Sequence, residues 1–265
     1  MIKACVFDLG NTLMNDSKVA SESLEELASI LKEEGILQDE EAFIDLYREF
    51  SRKIHNPHWS HTYGEVEWFK RALNALGICE VKPEEVLERY RRLVEEKTRP
   101  DPDLIEAFKF LRAKRLKVAL LSDERSARVE MFLRRTGMED LFDAVVVSEE
   151  VGVEKPHPLI FETLRKRLKV KFSEIAIFGD DEVTDGGGKR LGMKFILVKR
   201  YKDPTWGWGE GTQVKPDYIL ERITKRAVEK CLKALQEGCR EKSPAVTSPR
   251  DHYGEPTPRK MNKTV

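Results

Sequence analysis

Five short apolar runs punctuate the chain: IKACVFD (2–8), KVALLS (117–122), AVVV (144–147), EIAIFGD (174–180) and KFILV (194–198). Each is continuous in hydrophobicity rather than alternating, the pattern of strands buried on both faces of a parallel sheet. Between them, DLIEAFKFLRAKR (103–115), SARVEMFLRRTGM (126–138) and HPLIFETLRKRL (157–168) repeat apolar residues every three or four positions, as one face of a helix requires. Strand and helix in alternation predict an α/β fold with a doubly wound parallel sheet.

One span breaks the alternation. Residues 16–98 hold four helix-like stretches, SESLEELASILKEEGI (21–36), DEEAFIDLYREFSRKI (39–54), GEVEWFKRALNALGI (64–78) and PEEVLERYRRLVEEKT (83–98), and no convincing strand. An all-helical domain is therefore expected to interrupt a Rossmann-like core made of residues 1–15 and 99–238. A closing helix over 224–238 is expected to stop at Gly238. Residues 239–265 are polar and Pro-rich and read as a disordered tail.

Composition narrows the possible partners. The chain has 265 residues, 40% of them hydrophobic, enough to bury a sizeable core. Lys plus Arg and Asp plus Glu both total 47, so no net charge draws the molecule toward nucleic acid or a membrane surface, and any anionic ligand must be held locally. Charged residues make up 35% while Asn and Gln together number eight, a balance that fits ion-pair networks and a thermophilic source. Cys5, Cys79, Cys231 and Cys239 show neither a C-x-x-C spacing nor the density of a disulfide scaffold, and no apolar run reaches membrane-spanning length. A soluble, cytoplasmic protein with reduced thiols is expected, as a monomer or homodimer.

In an open parallel sheet, ligands sit beyond the carboxyl ends of the strands, where strand order reverses. Four polar signals fall at those ends: Asp8 in FDLGNTL, Ser122 after KVALL, Lys155 in GVEKPHP, and Asp180 with Asp185 in FGDDEVTD. Taken singly each has an ordinary reading. Asp8 could be a nucleophile, a metal ligand or a cap, Ser122 an N-cap, Lys155 a surface charge, and the acidic run a solvated loop opening a helix.

Together and in this order, these residues resemble the motifs of the haloacid dehalogenase superfamily of hydrolases, chiefly aspartate-nucleophile, magnesium-dependent phosphatases. The helical insertion is similar to that superfamily's type 1 cap, and the resemblance covers roughly residues 1–238. It implies that Asp8 attacks phosphorus to give an aspartyl-phosphate. It further implies that Mg2+ is held by Asp8, the carbonyl of Gly10 and Asp180, with Asp185 or Asp181 orienting that set. Lys155 and Ser122 would meet the phosphoryl oxygens, helped by the main-chain amides of Leu9 and Asp123. Thr12 is expected to tie up the turn after Asp8. The expected substrate is a small phosphorylated metabolite.

One position departs from that pattern. Most phosphatases of the superfamily carry a second aspartate two residues after the nucleophile, which protonates the leaving alcohol and then activates water, work worth roughly 10²–10⁴-fold in rate. This chain has Gly10 there. A good leaving group, a proton donor from the cap, or loss of activity would each accommodate the change. A 2-haloacid dehalogenase using Asp8 and a catalytically weak binding protein are thus the rival readings, and Asp180, which a dehalogenase does not need, favours phosphoryl chemistry.

Other stretches are less specific. HNPHWSH (55–61) places His58, Trp59 and His61 where a substrate-facing cap loop, a helix connection or a transition-metal site would each fit. GGGK (186–189) lacks P-loop spacing and reads as close packing of backbone onto the sheet. Trp206 and Trp208 are expected to pack on a sheet edge.

Overall fold

The structure, a computed structural model, describes residues 1–53, 64–202 and 213–240. The five apolar runs form strands β1 (Ala4–Phe7), β2 (Lys117–Ser122), β3 (Ala144–Val147), β4 (Ile175–Gly179) and β5 (Lys194–Val198). A sixth strand, β6 (Tyr218–Leu220), closes one edge of the sheet. The apolar pattern misses it because three residues at an edge, only one of them buried, carry no period.

All neighbouring strands pair in parallel, in the order β3-β2-β1-β4-β5-β6. Succession runs outward from β1 to β3 and then resumes on the other side at β4, so the switch point falls between β1 and β4. The crevice that this topology opens lies beyond Phe7 and Gly179, the ends of those two strands.

Alternate residues of β1 serve the two faces of the sheet. Cys5 and Phe7 pack with Phe108, Phe132 and Val228, from helices α5 (Pro102–Ala113), α6 (Ser126–Thr136) and α10 (Lys225–Arg240). Ala4 and Val6 pack on the other side with Ile160, Phe161 and Leu164 of α8 (Pro158–Leu168). Phe7 stacks on Phe178 with ring centroids 4.7 Å apart, which ties the two strands at the switch point. Two one-turn helices, α7 (Ser148–Val151) and α9 (Gly187–Arg190), follow β3 and the acidic loop.

Helices α1 (Asp16–Glu33), α2 (Glu40–Lys53), α3 (Gly64–Ala75) and α4 (Pro83–Lys97) lie between β1 and α5 in the chain. They bury their own apolar cluster, including Leu27, Leu31, Phe43, Phe69, Tyr90 and Val94. Ion pairs join this layer to the core: Arg125 to Glu65 at 2.8 Å, Arg134 to Glu95 at 3.0 Å, and Arg128 to Asp16.

Two boundaries differ from expectation. Helix α1 starts at Asp16, five residues before the periodic stretch, because Asn15 caps it by accepting from the Lys18 amide at 3.3 Å. Helix α10 runs through Gly238 to Arg240. A glycine in a last turn costs about 1 kcal/mol of propensity, too little to end a helix anchored by buried Val228, Cys231 and Leu232. The expected tail from 241 onward, the HNPHWSH loop with His58, Trp59 and His61, and Trp206 and Trp208 lie outside the described residues. Among the described residues, Cys5, Cys79 and Cys231 are free thiols, and no helix is long and apolar enough to cross a membrane.

Candidate active site

The main chain carries Asp8 to the crevice. The Asp8 amide donates to the Phe178 carbonyl at 2.9 Å, so the ladder between β1 and β4 extends one residue past β1 before the chain leaves the sheet. The Leu9 carbonyl then accepts from the amides of Thr12, Leu13 and Met14, folding a tight turn. Asn11 stands in that turn at φ 51°, a left-handed conformation that Asn tolerates better than most residues. Its side chain clamps Ser17, accepting from the Ser17 amide and donating to the hydroxyl, both at 3.0 Å. Asp8 is left almost buried, at 7% exposure.

The loop after β4 supplies the opposing acids. Asp181 accepts from the amides of Val183 and Thr184 at 2.8 and 2.7 Å, which curls the loop and returns Asp185 to the strand end. Gly179 admits it: a Cβ there would lie 2.0 Å from the Asp185 Oδ2. Asp8, Asp180 and Asp185 each then offer a carboxylate oxygen, all within 4.8 Å of one another.

Lys155 threads between these acids. Its Nζ donates to Oδ1 of Asp8 and to Oδ1 of Asp185, both at 2.6 Å, and lies 3.8 Å from Asp123 Oδ2. Its main-chain amide donates to Asp123 Oδ1 at 2.8 Å. The Asp123 side chain is thus a support for Lys155. Burial opposes the lysine's charge, but Asp185, Asp8 and Asp123 outweigh it and hold the ammonium well above its ordinary range.

One ammonium does not balance four acids. Burial, then repulsion from Asp8 and Asp185, pushes the Asp180 carboxyl up to about 8. Burial pushes Asp185 to about 7 and Asp123 to about 6 against the pull of Lys155, and Asp8 shifts upward for the same reason. A divalent cation would relieve that repulsion, and an all-oxygen carboxylate set suits a hard one. The donors present therefore fit Mg2+.

Three further groups complete the surroundings. Ser122, the last residue of β2, is buried with its Oγ unpaired, a polar atom that a ligand oxygen would satisfy. Thr12 donates to Asp180 Oδ1 at 3.3 Å, so its hydroxyl links the two acidic strand ends instead of only closing its own turn. Lys202 donates to the Asp180 carbonyl at 2.8 Å and fixes the main chain there.

Some neighbours escape a reading of the motifs alone. Glu154, beside Lys155, has a buried Oε1 without a partner, and burial followed by repulsion from Asp123 raises it to about 8. Arg128 on α6 holds both Asp16 and Glu124, and burial pushes Glu124 to about 7. The Glu124–Arg128 spacing of four residues and the N-D-S run at 15–17 are the signals that point to this cluster. GGGK packs less on the sheet than expected. A Cβ at Gly187 would lie 2.4 Å from Pro156 Cβ, so this glycine seats the loop that carries Lys155, while one at Gly188 would lie 2.8 Å from Met193 Sδ.

A family model described as haloacid dehalogenase-like hydrolase matches residues 2–192. The chain belongs to that family. This hydrolase is 32% identical over 209 residues to the glyceraldehyde 3-phosphate phosphatase of Methanopyrus kandleri, a match covering 76% of this chain and 86% of the relative. It is 27% identical over 207 residues to the phosphorylated carbohydrates phosphatase of Thermotoga maritima, covering 73% and 96%. Its fold is similar to that of the HAD-hydrolase YfnB of Bacillus subtilis bound to magnesium, with TM-score 0.66 at 18% identity over 89% of this chain and 99% of that one.

Proposed function

We propose that this hydrolase is a Mg2+-dependent phosphatase of small phosphorylated metabolites, acting through an aspartyl-phosphate on Asp8. The observation that carries the reading is the joining of Asp180 to Asp8 and Asp185 within 4.8 Å. Displacing a halide needs no such acidic set, whereas a carboxylate approaching a phosphate does. The phosphatase names of the relatives over most of their length point the same way.

Asp8 and Asp180, with the Gly10 carbonyl, would hold the metal. Both oxygens of Asp185 already accept hydrogen bonds, Oδ1 from Lys155 and Oδ2 from the Asp181 amide, so Asp185 acts as the orienting partner. When bound, Mg2+ supplies positive charge against the phosphoryl oxygens and lowers the repulsion between nucleophile and substrate.

The chain's own groups do the rest. A carboxylate oxygen of Asp8 attacks phosphorus, the ester oxygen leaves, and the phosphoryl group rests on Asp8 until water releases it. Lys155, kept charged by its three carboxylates, meets the charge that spreads over the phosphoryl oxygens, and the unpaired Ser122 hydroxyl donates to one of them.

Hydrolysis of p-nitrophenyl phosphate tests this, because its leaving group needs little protonation. Turnover with Mg2+, lost with EDTA and lost in Asp8→Asn, is the expected result. Chloride release from 2-chloropropionate with no phosphate release from the ester would establish the dehalogenase instead.

A further inference from the structure

The phosphatase reading leaves one task without a residue, since Gly10 has no side chain to protonate a leaving alcohol. The space that such a side chain would enter is not empty. Among the described residues, a Cβ built on Gly10 meets Asp16 Cβ and Asp16 Oδ2, both at 3.9 Å, and nothing else within 4 Å outside its chain neighbours. A carboxylate therefore stands beside the place the missing one would fill, contributed by a residue six positions later.

The sequence builds this placement locally. The Leu9-centred turn, the left-handed Asn11 and the Asn11–Ser17 clamp reverse the chain, and the Asp16 amide donates to the Met14 carbonyl at 2.9 Å. Gly10 and Met14 form an isolated bridge that brings the start of α1 alongside the catalytic loop. Asp16 is thereby the first residue of α1 and the one that faces back toward Gly10.

Its carboxylate is also held in orientation. Oδ1 pairs with Arg128, whose guanidinium is largely buried, which leaves Oδ2 as the oxygen turned toward Gly10. Arg128 lies 3.7 Å from Glu124 as well, so its single charge is shared between two acids. The Asp16 side chain keeps 27% of its surface open.

We infer that Asp16 takes over the proton transfers that a carboxylate at position 10 would perform, an assignment that rests on the phosphatase reading. In the first half-reaction the bond between Asp8 and phosphorus forms, the bond between phosphorus and the ester oxygen breaks, and the Asp16 carboxyl passes its proton to that oxygen, which leaves as the alcohol. In the second, water attacks phosphorus and gives its proton to the Asp16 carboxylate. The bond between Asp8 and phosphorus then breaks, which returns Asp8 as a carboxylate and Asp16 as an acid.

The test compares an aryl ester, p-nitrophenyl phosphate, with an alkyl ester, glycerol phosphate, in the wild type, in Asp16→Asn and in Asp16→Asn with Gly10→Asp. Asp16→Asn is expected to release a rapid burst of nitrophenolate followed by slowed turnover, because the good leaving group needs no acid while water still needs a base. On the alkyl ester it should lose about 10²–10⁴-fold in rate with no burst. Adding Gly10→Asp, for which the backbone leaves room, should restore alkyl turnover. Asp16→Ser, which keeps a small polar residue at the start of α1, serves as the second variant should the asparagine disturb folding. Equal loss on both esters with no burst, or no loss on either, would overturn the assignment while leaving the phosphatase reading standing. Absence of Mg2+-dependent turnover in the wild type would overturn both.

Discussion

Lys155 is the residue on which the charge balance of the crevice turns. Its ammonium bridges Asp8 and Asp185 at 2.6 Å and supports itself on Asp123, with only 3% of the side chain exposed. Removing one member of a buried ionic set leaves the others uncompensated, at a cost of about 3–5 kcal/mol. Lys155→Met is therefore expected to lower the denaturation midpoint by an equivalent amount in EDTA. Mg2+ should recover part of that loss, since a cation can stand among the same acids. An identical midpoint for Lys155→Met with and without Mg2+ would show that the acids do not form a cation site.

At the scale of elements, the loop carrying Lys155 and the glycine run after the acidic loop form one packed unit. Gly187 lies against Pro156 so closely that a methyl group would reach 2.4 Å from its Cβ and 3.1 Å from its Cα. Gly187→Ala must move the ring or the loop, and overpacking of this kind costs about 1–3 kcal/mol. Because Pro156 follows Lys155, turnover is expected to fall along with stability, whereas a surface glycine such as Gly35, whose Cβ would have none of the described residues within 4 Å beyond its chain neighbours, would strain only its own left-handed turn. Unchanged turnover in a destabilised Gly187→Ala would show that Lys155 is positioned without this contact.

The same elements show what a sequence can and cannot convey. Strands β1, β2, β3, β4 and β5 were legible because continuous apolar runs have few alternatives in an α/β chain, and Asp8, Ser122, Lys155 and Asp180 fall at or after the carboxyl ends of such runs. Strand β6 was not, being three residues at an edge. Thr12 reads as a turn residue because its partner, Asp180, lies 168 positions away. Asp16 was hidden for a related reason: its relation to Gly10 depends on a chain reversal through Asn11 that no hydrophobic period records.

For the whole molecule, acids that stay protonated in the fold make stability depend on pH. Glu154 has a buried, unpartnered oxygen and is raised to about 8, and Glu124 is raised to about 7. A carboxyl whose value is higher in the folded state binds its proton more tightly there than in the unfolded chain. Its contribution is thus fully present below the ordinary glutamate range and is lost as pH rises through 7 and 8. In EDTA, Tm is expected to fall across that interval, and Glu154→Gln, which has no charge to bury, should flatten the fall. A Glu154→Gln profile parallel to that of the wild type would show that Glu154 does not carry this linkage.

The proposed chemistry comes down to where the phosphoryl group would rest between two half-reactions. Acid quenching during turnover of p-nitrophenyl phosphate, followed by pepsin digestion at acid pH and fragmentation of the peptide that contains Asp8, locates that group directly. A phosphoryl adduct on Asp8 that requires Mg2+ and is absent in Asp8→Asn is the predicted result. Steady turnover with no adduct on Asp8, or with the adduct on another residue, would contradict the account.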